Sequence, residues 1–265
     1  MSIWTYADHI KDQEPIRLAL TAAACPFCTT ALEKLRDDRE TIGNPGEHET
    51  ATDQFWTCPV CGWWKAEQEF RHTEYGFSSH TRRGAAAALR TLDLSDLSVP
   101  VEDARNYLTV KFEERFNLDP RQLELIVASI FRDHGFEAEA TAFSGDGGID
   151  VIILRDSAGR QVGVQTKRYK DAIKIEQIRS FAGALLIEGY TRGIFVTTSR
   201  FTSGAPQVAQ KSALKGIPIE LMDAPAFLDA LKIAQREKYR TTRDLQAVVD
   251  RDAFMVVASS FRRRF

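Results

Sequence analysis

Apolar residues Leu123, Ile126, Val127, Ile130 and Phe131 recur at spacings of three and four, the pattern of a helix that buries one face. Asp119 and Pro120 supply a cap and a first-turn proline at its start, and His134 and Gly135 close it, with His134 read as a residue of the cap region. Three strands are predicted next, over 136–143, 151–154 and 161–168. The second is a short branched run, Val151 to Leu154, suited to burial on both faces. Residues 155–160 hold Asp156, Ser157 and Gly159, the residue types of a tight reversal. The third strand alternates, so Gln165 and Lys167 share one face while Val162, Val164 and Thr166 share the other. Beyond it the pattern predicts a helix over 175–189 with Ile178, Phe181, Leu185 and Leu186 inward, a strand over 193–198, a helix over 205–214, a strand over 217–222 and a further helix. The order αβββαβαβ implies an α/β fold, a mixed sheet flanked by helices.

Upstream, 85–92 and 101–116 read as helices joined by a loop that ends at Pro100. Before them stand two knuckles, Cys25 with Cys28 and Cys58 with Cys61. The two-residue spacing lets both thiolates of a knuckle reach one ion, and two knuckles make a tetrahedral four-cysteine site of the zinc-ribbon kind. Strands are predicted at 54–58 and 62–65, with 37–54 as an exposed loop. A redox pair or four unrelated buried thiols are the other readings of these cysteines. Four cysteines already fill a structural zinc site, which leaves His72 and His80 as surface residues. The aromatics Trp56, Trp63, Trp64, Phe70, Tyr75 and Phe77 either stack on bases, with Arg71, Arg82 and Arg83 on phosphates, or form the small core that a metal module needs.

Composition narrows the class. The chain has 265 residues, 43% hydrophobic and 27% charged, with a net charge of −2. A nucleic-acid partner must then be met by a local basic patch. No apolar run approaches the roughly 20 residues that cross a bilayer. The polar, acidic N-terminus lacks a secretory pattern, so a cytoplasmic protein is expected, with the cysteines as metal ligands rather than disulfides. Arg168, Lys170, Lys174, Arg179, Arg192 and Arg200, with Thr197, Thr198 and Ser199, form the candidate phosphate-gripping cluster, in which Arg168, Lys170 and Arg200 lead. From Lys232 onward basic residues outnumber acidic ones, and the chain ends Phe261, Arg262, Arg263, Arg264, Phe265. That arm either touches DNA or packs on the core or a second subunit.

Asp150 at the head of one strand, with Gln165 and Lys167 on one face of the next, suits phosphodiester hydrolysis. A carboxylate holds a hard cation, a second oxygen completes the coordination, and the lysine stabilises charge or helps activate water. The bare triplet also fits a turn aspartate and a solvated strand face. Its context decides: SGDGGID at 144–150, QTKRY at 165–169, GIFVTTSRF at 193–201 and Glu124 in the preceding helix together resemble the catalytic domain of Mrr-type restriction endonucleases. These belong to the PD-(D/E)xK nuclease superfamily, here in a branch with Gln in place of Glu. The likeness spans residues 118–230. It implies a restriction-endonuclease-like αβββαβ core and a Mg2+-dependent deoxyribonuclease that restricts foreign DNA. Asp150 and Gln165 would ligate the metal, Lys167 would serve the attacking water, and Glu124 would complete the site. Mrr enzymes add a winged-helix recognition domain, which no stretch here matches.

The expected partition is a zinc-ribbon-like domain at 1–80 with structural Zn2+, a helical linker at 81–118, a nuclease domain at 119–231 and a basic extension at 232–265. The expected partner is DNA, and no membrane. A homodimer is expected because cutting both strands takes two sites, and the defence setting admits a partner protein. Two other functions stay open: a structure-directed repair or junction nuclease, and a silent nucleic-acid-binding or adaptor module, for which Gln165 is the motivating residue.

Overall fold

Among the described residues, two five-stranded sheets organise the molecule. The computed structural model describes residues 3–6, 21–44, 47–141, 148–154 and 161–241. The SGDG turn at 144–147, the reversal at 155–160, the tail beyond 241 and the side chains of Arg82 and Arg83 lie outside the described residues. Contacts divide the chain into two units, with the boundary between Thr91 and Leu92.

The first unit is an antiparallel sheet of strands β1 (Trp4–Tyr6), β2 (Glu33–Asn44), β3 (Glu47–Thr57), β4 (Trp64–Glu74) and β5 (Phe77–Leu89), in the order β1-β5-β4-β3-β2. Two expectations are corrected here. Residues 37–54, read as a loop, are the paired arms of the β2–β3 hairpin, from Glu33↔Thr57 to Asn44↔Glu47. The alanine run read as a helix over 85–92 lies mostly in β5, hydrogen-bonded to β4 on one side and to β1 on the other. Alanine favours helix only weakly, and two neighbouring strands that satisfy the backbone outweigh that preference. The small side chains also let Trp63 approach, and its indole N–H donates to Ala87 O at 2.9 Å.

The second unit contains helix α1 (Val101–Val110), a 3-10 turn (Phe112–Phe116), helix α2 (Pro120–Asp133), strands β6 (Ala138–Ala140), β7 (Val151–Ile153) and β8 (Val162–Lys167), helix α3 (Ile175–Ile187), strand β9 (Gly193–Thr197), helix α4 (Ala205–Leu214), strand β10 (Ile219–Met222) and helix α5 (Ala224–Thr241). The single helix expected over 101–116 is broken at Lys111, whose φ of −124° and ψ of 58° leave the helical region. Helix α2 starts as its sequence dictates, with Pro120 in the first turn and Asp119 Oδ1 accepting from Arg121 N at 2.7 Å. Sheet order is β10-β9-β8-β7-β6, antiparallel from β6 to β8 and parallel from β8 to β10. β8 is central, and five of its six residues are buried. Helix α3 closes on the strands at their glycines: a Cβ at Gly193 would stand 2.4 Å from Leu185 Cδ1 and 2.8 Å from the Phe181 ring. Phe181 meets Phe195 edge-on at 5.6 Å beneath it.

Helix α1 belongs to this packing. Arg105, 1% exposed, donates to Ser129 of α2 and Gln235 of α5 and pairs with Asp133 at 2.7 Å. Its three partners come from two other helices, so a residue that a linker would leave in water is a tie within the unit.

Candidate functional site

The sheet delivers the candidate acid at an irregularity. Val151 is the register partner of Val164, yet Asp150 N–H also donates to Val164 O at 2.8 Å. Two residues of one strand thus oppose one of the next, the arrangement of a β-bulge, which re-aims the side chain it carries. Asp150 Oδ2 accepts from Thr166 N at 2.7 Å and from Thr166 Oγ1 at 3.2 Å. The carboxylate is therefore held at the residue that separates Gln165 from Lys167.

Gln165 is 9% exposed, and its Nε2 lies 3.0 Å from the place a Cβ would occupy at Gly148. Gly148 has a φ of +93°, a backbone conformation that favours glycine, two residues before Asp150. By alternation Gly163, Gln165 and Lys167 share the sheet face on which Leu185 approaches. Lys167 closes β8, half-buried, with no partner for its ammonium group among the described residues.

Glu124 stands on α2 and accepts from Arg121 Nη1 at 2.6 Å, both side chains about one-fifth exposed. The same Arg121 nitrogen donates to Thr141 O at 2.7 Å, while Thr141 donates through N and Oγ1 to the Asp150 carbonyl at 3.0 and 3.1 Å. Glu124 and Asp150 are so linked through Arg121 and Thr141. Sequence reasoning missed Arg121, since an arginine one turn before a glutamate reads as a surface pair.

The candidate phosphate grip separates into different roles. Thr197, Thr198 and Ser199 are buried, and their hydroxyls donate to the carbonyls of Lys167, Tyr169 and Lys170 at 3.0, 3.2 and 3.0 Å. They hold the end of β8 rather than facing solvent. Arg168 Nη1 donates to Phe116 O at 2.5 Å, and Arg192 pairs with Glu220 at 3.6 Å. Lys170 and Arg200 are exposed.

In the first unit the four cysteines converge. Sγ of Cys25 lies 3.5 Å from that of Cys61, and Cys28 lies 3.3 Å from Cys58 and 3.8 Å from Cys61. All four sulfurs fall within 4.8 Å of one another and all four residues are buried. A tetrahedral ion with Zn–S bonds of about 2.3 Å sets its sulfurs about 3.8 Å apart, so the spacing fits a metal. Hydrogen bonds and charge within the cluster pull the thiols apart. Those from Cys25 favour the Cys28 and Cys58 thiolates, while contacts with Cys28 and Cys25 oppose ionisation of Cys25 and Cys61 respectively. At this spacing all four sulfurs could be anionic together only with a cation between them.

Both knuckles are the same turn. Cys25 N bonds Thr30 O and Thr29 N bonds Cys25 O; Cys58 N bonds Trp63 O and Gly62 N bonds Cys58 O. The aromatics around them are mostly core. Trp63 and Trp64 are 1% exposed, Trp4 Nε1 donates to Cys61 O at 2.6 Å, and Phe55 stacks on Trp64 at 5.8 Å. Trp56 is covered by the Lys34 and Lys65 ammonium groups. Tyr75 and Phe77, at the β4–β5 turn, are the exposed rings. His72 and His80 face Glu49 and Glu69 rather than the cysteines.

Against families of known proteins, residues 116–231 match the Mrr_cat family, described as restriction endonuclease. The second unit carries an Mrr-type restriction endonuclease domain. Among curated relatives, the type IV methyl-directed restriction enzyme EcoKMrr of Escherichia coli K12 is 35% identical to the chain over 104 residues, 37% of this chain and 34% of that protein. The uncharacterized protein y4cE of Sinorhizobium fredii is 28% identical over 145 residues, 49% of this chain and 36% of that protein. The chain thus spans about a third of the length of the curated relatives it matches. The bulged Asp150, Gln165 and Lys167 all lie inside the segment that matches the Mrr-type domain. The cysteine cluster lies outside it. Among the described residues no helix is long and apolar enough to cross a membrane.

Proposed function

We propose that the chain is a metal-dependent DNA endonuclease of restriction, cutting phosphodiester bonds at the site built on Asp150, Gln165 and Lys167. The observation that supports this reading is the hold of Thr166 on the Asp150 carboxylate, at the residue that separates Gln165 from Lys167 along the strand and within the segment that matches the Mrr-type domain. The donors are a carboxylate and an amide, hard oxygen ligands of the kind Mg2+ takes. Asp150 and Gln165 would hold the ion, with Glu124 as the second carboxylate once Arg121 shares or yields it. A bound divalent cation supplies Lewis acidity toward the phosphate and a more acidic water. Lys167 stabilises charge that develops on the phosphate oxygens or takes part in activating the water. Arg121 and Thr141 tie the Glu124 carboxylate to the main chain of Asp150. Exposed Lys170 and Arg200 bind backbone phosphates, which positions DNA without reading sequence.

The first unit binds structural Zn2+ through Cys25, Cys28, Cys58 and Cys61, as a zinc ribbon whose sheet is extended by long hairpins. With Trp63 and Trp64 buried in its core, base stacking by this unit falls to Tyr75 and Phe77. The EcoKMrr relative is methyl-directed by name, and modified DNA is one substrate to test here. The setting is the cytoplasm, where foreign DNA is met, and two copies would cut two strands.

Cleavage of plain, methylated and branched DNA in Mg2+ tests the reading. Nicking or linearisation of plain or methylated DNA supports restriction. Preference for branched DNA moves the function to junction processing. Binding without cutting on all three moves it to a silent module, for which the missing acid at Gln165 is the reason.

A further inference from the structure

The 3-10 turn Phe112–Phe116 stands almost wholly ahead of the segment that matches the family, yet it is tied to the strand ends that carry the site. Arg115 Nε donates to the carbonyl of Thr198 at 2.8 Å. Thr198 is fully buried, and its own N–H donates to the Lys167 carbonyl at 3.1 Å. Thr197 Oγ1 donates to that same carbonyl at 3.0 Å. The Arg115 guanidinium and the Lys167 carbonyl are therefore both tied to the main chain of Thr198, through its O and its N–H. Arg115 is itself anchored: its Nη1 donates to Phe112 O at 3.0 Å, and its guanidinium lies 4.8 Å and 4.1 Å from the Phe112 and Phe116 ring centres. From the neighbouring strand, Arg168 donates back to Phe116 O, so both strand ends hang on the same turn.

We infer that Arg115 is a positioning residue for Lys167, fixing the strand end from which the lysine reaches the scissile phosphate. This rests on the proposed role of Lys167. Lysine has four rotatable bonds and no rigid fork, so the reach of its ammonium group depends on where its backbone is held. A shift of about 1 Å at a reacting group can cost on the order of a hundredfold in rate. With its Nε–H and Nη1 turned inward and its plane against two rings, Arg115 is built to hold protein rather than to meet a phosphate.

Arg115→Lys keeps the charge and loses the Nε–H that Thr198 accepts; Arg115→Ala loses both. In the full-length protein, two readouts are taken for each: amide hydrogen exchange over 165–170 and 196–200, and single-turnover cleavage beside DNA affinity at several salt concentrations. Ile178→Val, a buried change on α3, serves as the control for general destabilisation. The expected result is faster exchange at both strand ends and a rate lowered about ten- to a hundredfold in both variants. DNA affinity and its salt slope should stay close to wild type, and the control should leave rate and strand-end exchange unchanged. Unchanged exchange in Arg115→Ala overturns the inference. So does weaker DNA binding with a shallower salt slope and a normal rate at saturating DNA, which would make Arg115 a phosphate contact. A wild-type protein that cuts no DNA contradicts the proposed function instead, and the exchange result then decides the Arg115 tie by itself.

Discussion

Thr29 and Gly62 occupy the same place in two copies of one turn. Each is the fourth residue after the first cysteine of its knuckle, each donates its N–H to that cysteine's carbonyl, and each has a positive φ, 60° and 71°. Glycine adopts that conformation without penalty, whereas a β-branched residue does so against its Cβ, at about 1–2 kcal/mol. Thr29→Gly should therefore raise the stability of the metal-loaded protein by about 1 kcal/mol, and Gly62→Ala should lower it by a similar amount. Chemical denaturation followed by tryptophan fluorescence, which senses Trp4 and Trp63 beside the cluster, reads both. Effects of the same sign from the two changes would show that the knuckles are not equivalent in strain.

The sulfur spacing predicts the response to metal removal. Cys58→Ser should abolish stoichiometric zinc in the purified protein, and a strong chelator should unfold the first unit, because ligand binding and folding are the same free energy in small metal modules. Metal analysis with near-UV circular dichroism checks both. Retention of one zinc per chain in Cys58→Ser would place the ion elsewhere.

Arg105→Ala should be among the most damaging changes outside the candidate site. It leaves Asp133 beside an empty pocket and removes partners from Ser129 and Gln235, a loss of about 3–5 kcal/mol for a broken buried pair. Thermal denaturation of the second unit measures it. A drop below about 1 kcal/mol would mean that water takes the place of the guanidinium at Asp133, whose side chain is 27% exposed.

How much of this was legible in the sequence depended on whether a segment buries one face. Helix α2 and strands β7 to β10 have a core side, so their apolar spacing, with the Asp119 cap, identified them and put Asp150, Gln165 and Lys167 on neighbouring strands. The arms of the β2–β3 hairpin, rich in Glu, Asp, Arg and Thr, face solvent over much of their length, so no alternation marked them as strand. The alanines of β5 carried a helix preference that partner strands overrode. Arg105, Arg115 and Arg121 were invisible for a different reason. An arginine signals charge in a sequence, and only the fold shows whether its guanidinium ends in water or on a buried carbonyl. The bulge at Asp150 likewise depends on hydrogen-bond register, which no residue type announces.

Position 165 offers a gain-of-function test. Gln165→Glu adds a further negative charge to the proposed cation site, beside those of Asp150 and Glu124, with a side chain isosteric with the one it replaces. The Mg2+ concentration for half-maximal cleavage should fall by about an order of magnitude, as ligand charge count predicts. An unchanged Mg2+ requirement would remove residue 165 from the coordination sphere.

The most direct test is plasmid cleavage by the purified protein in Mg2+, beside Asp150→Ala and Lys167→Ala and with methylated and unmethylated DNA. The account predicts nicked or linear product from the wild type, none after EDTA treatment, and none from either variant while both still fold and bind DNA. Cleavage that survives in both variants would contradict the site built on Asp150, Gln165 and Lys167.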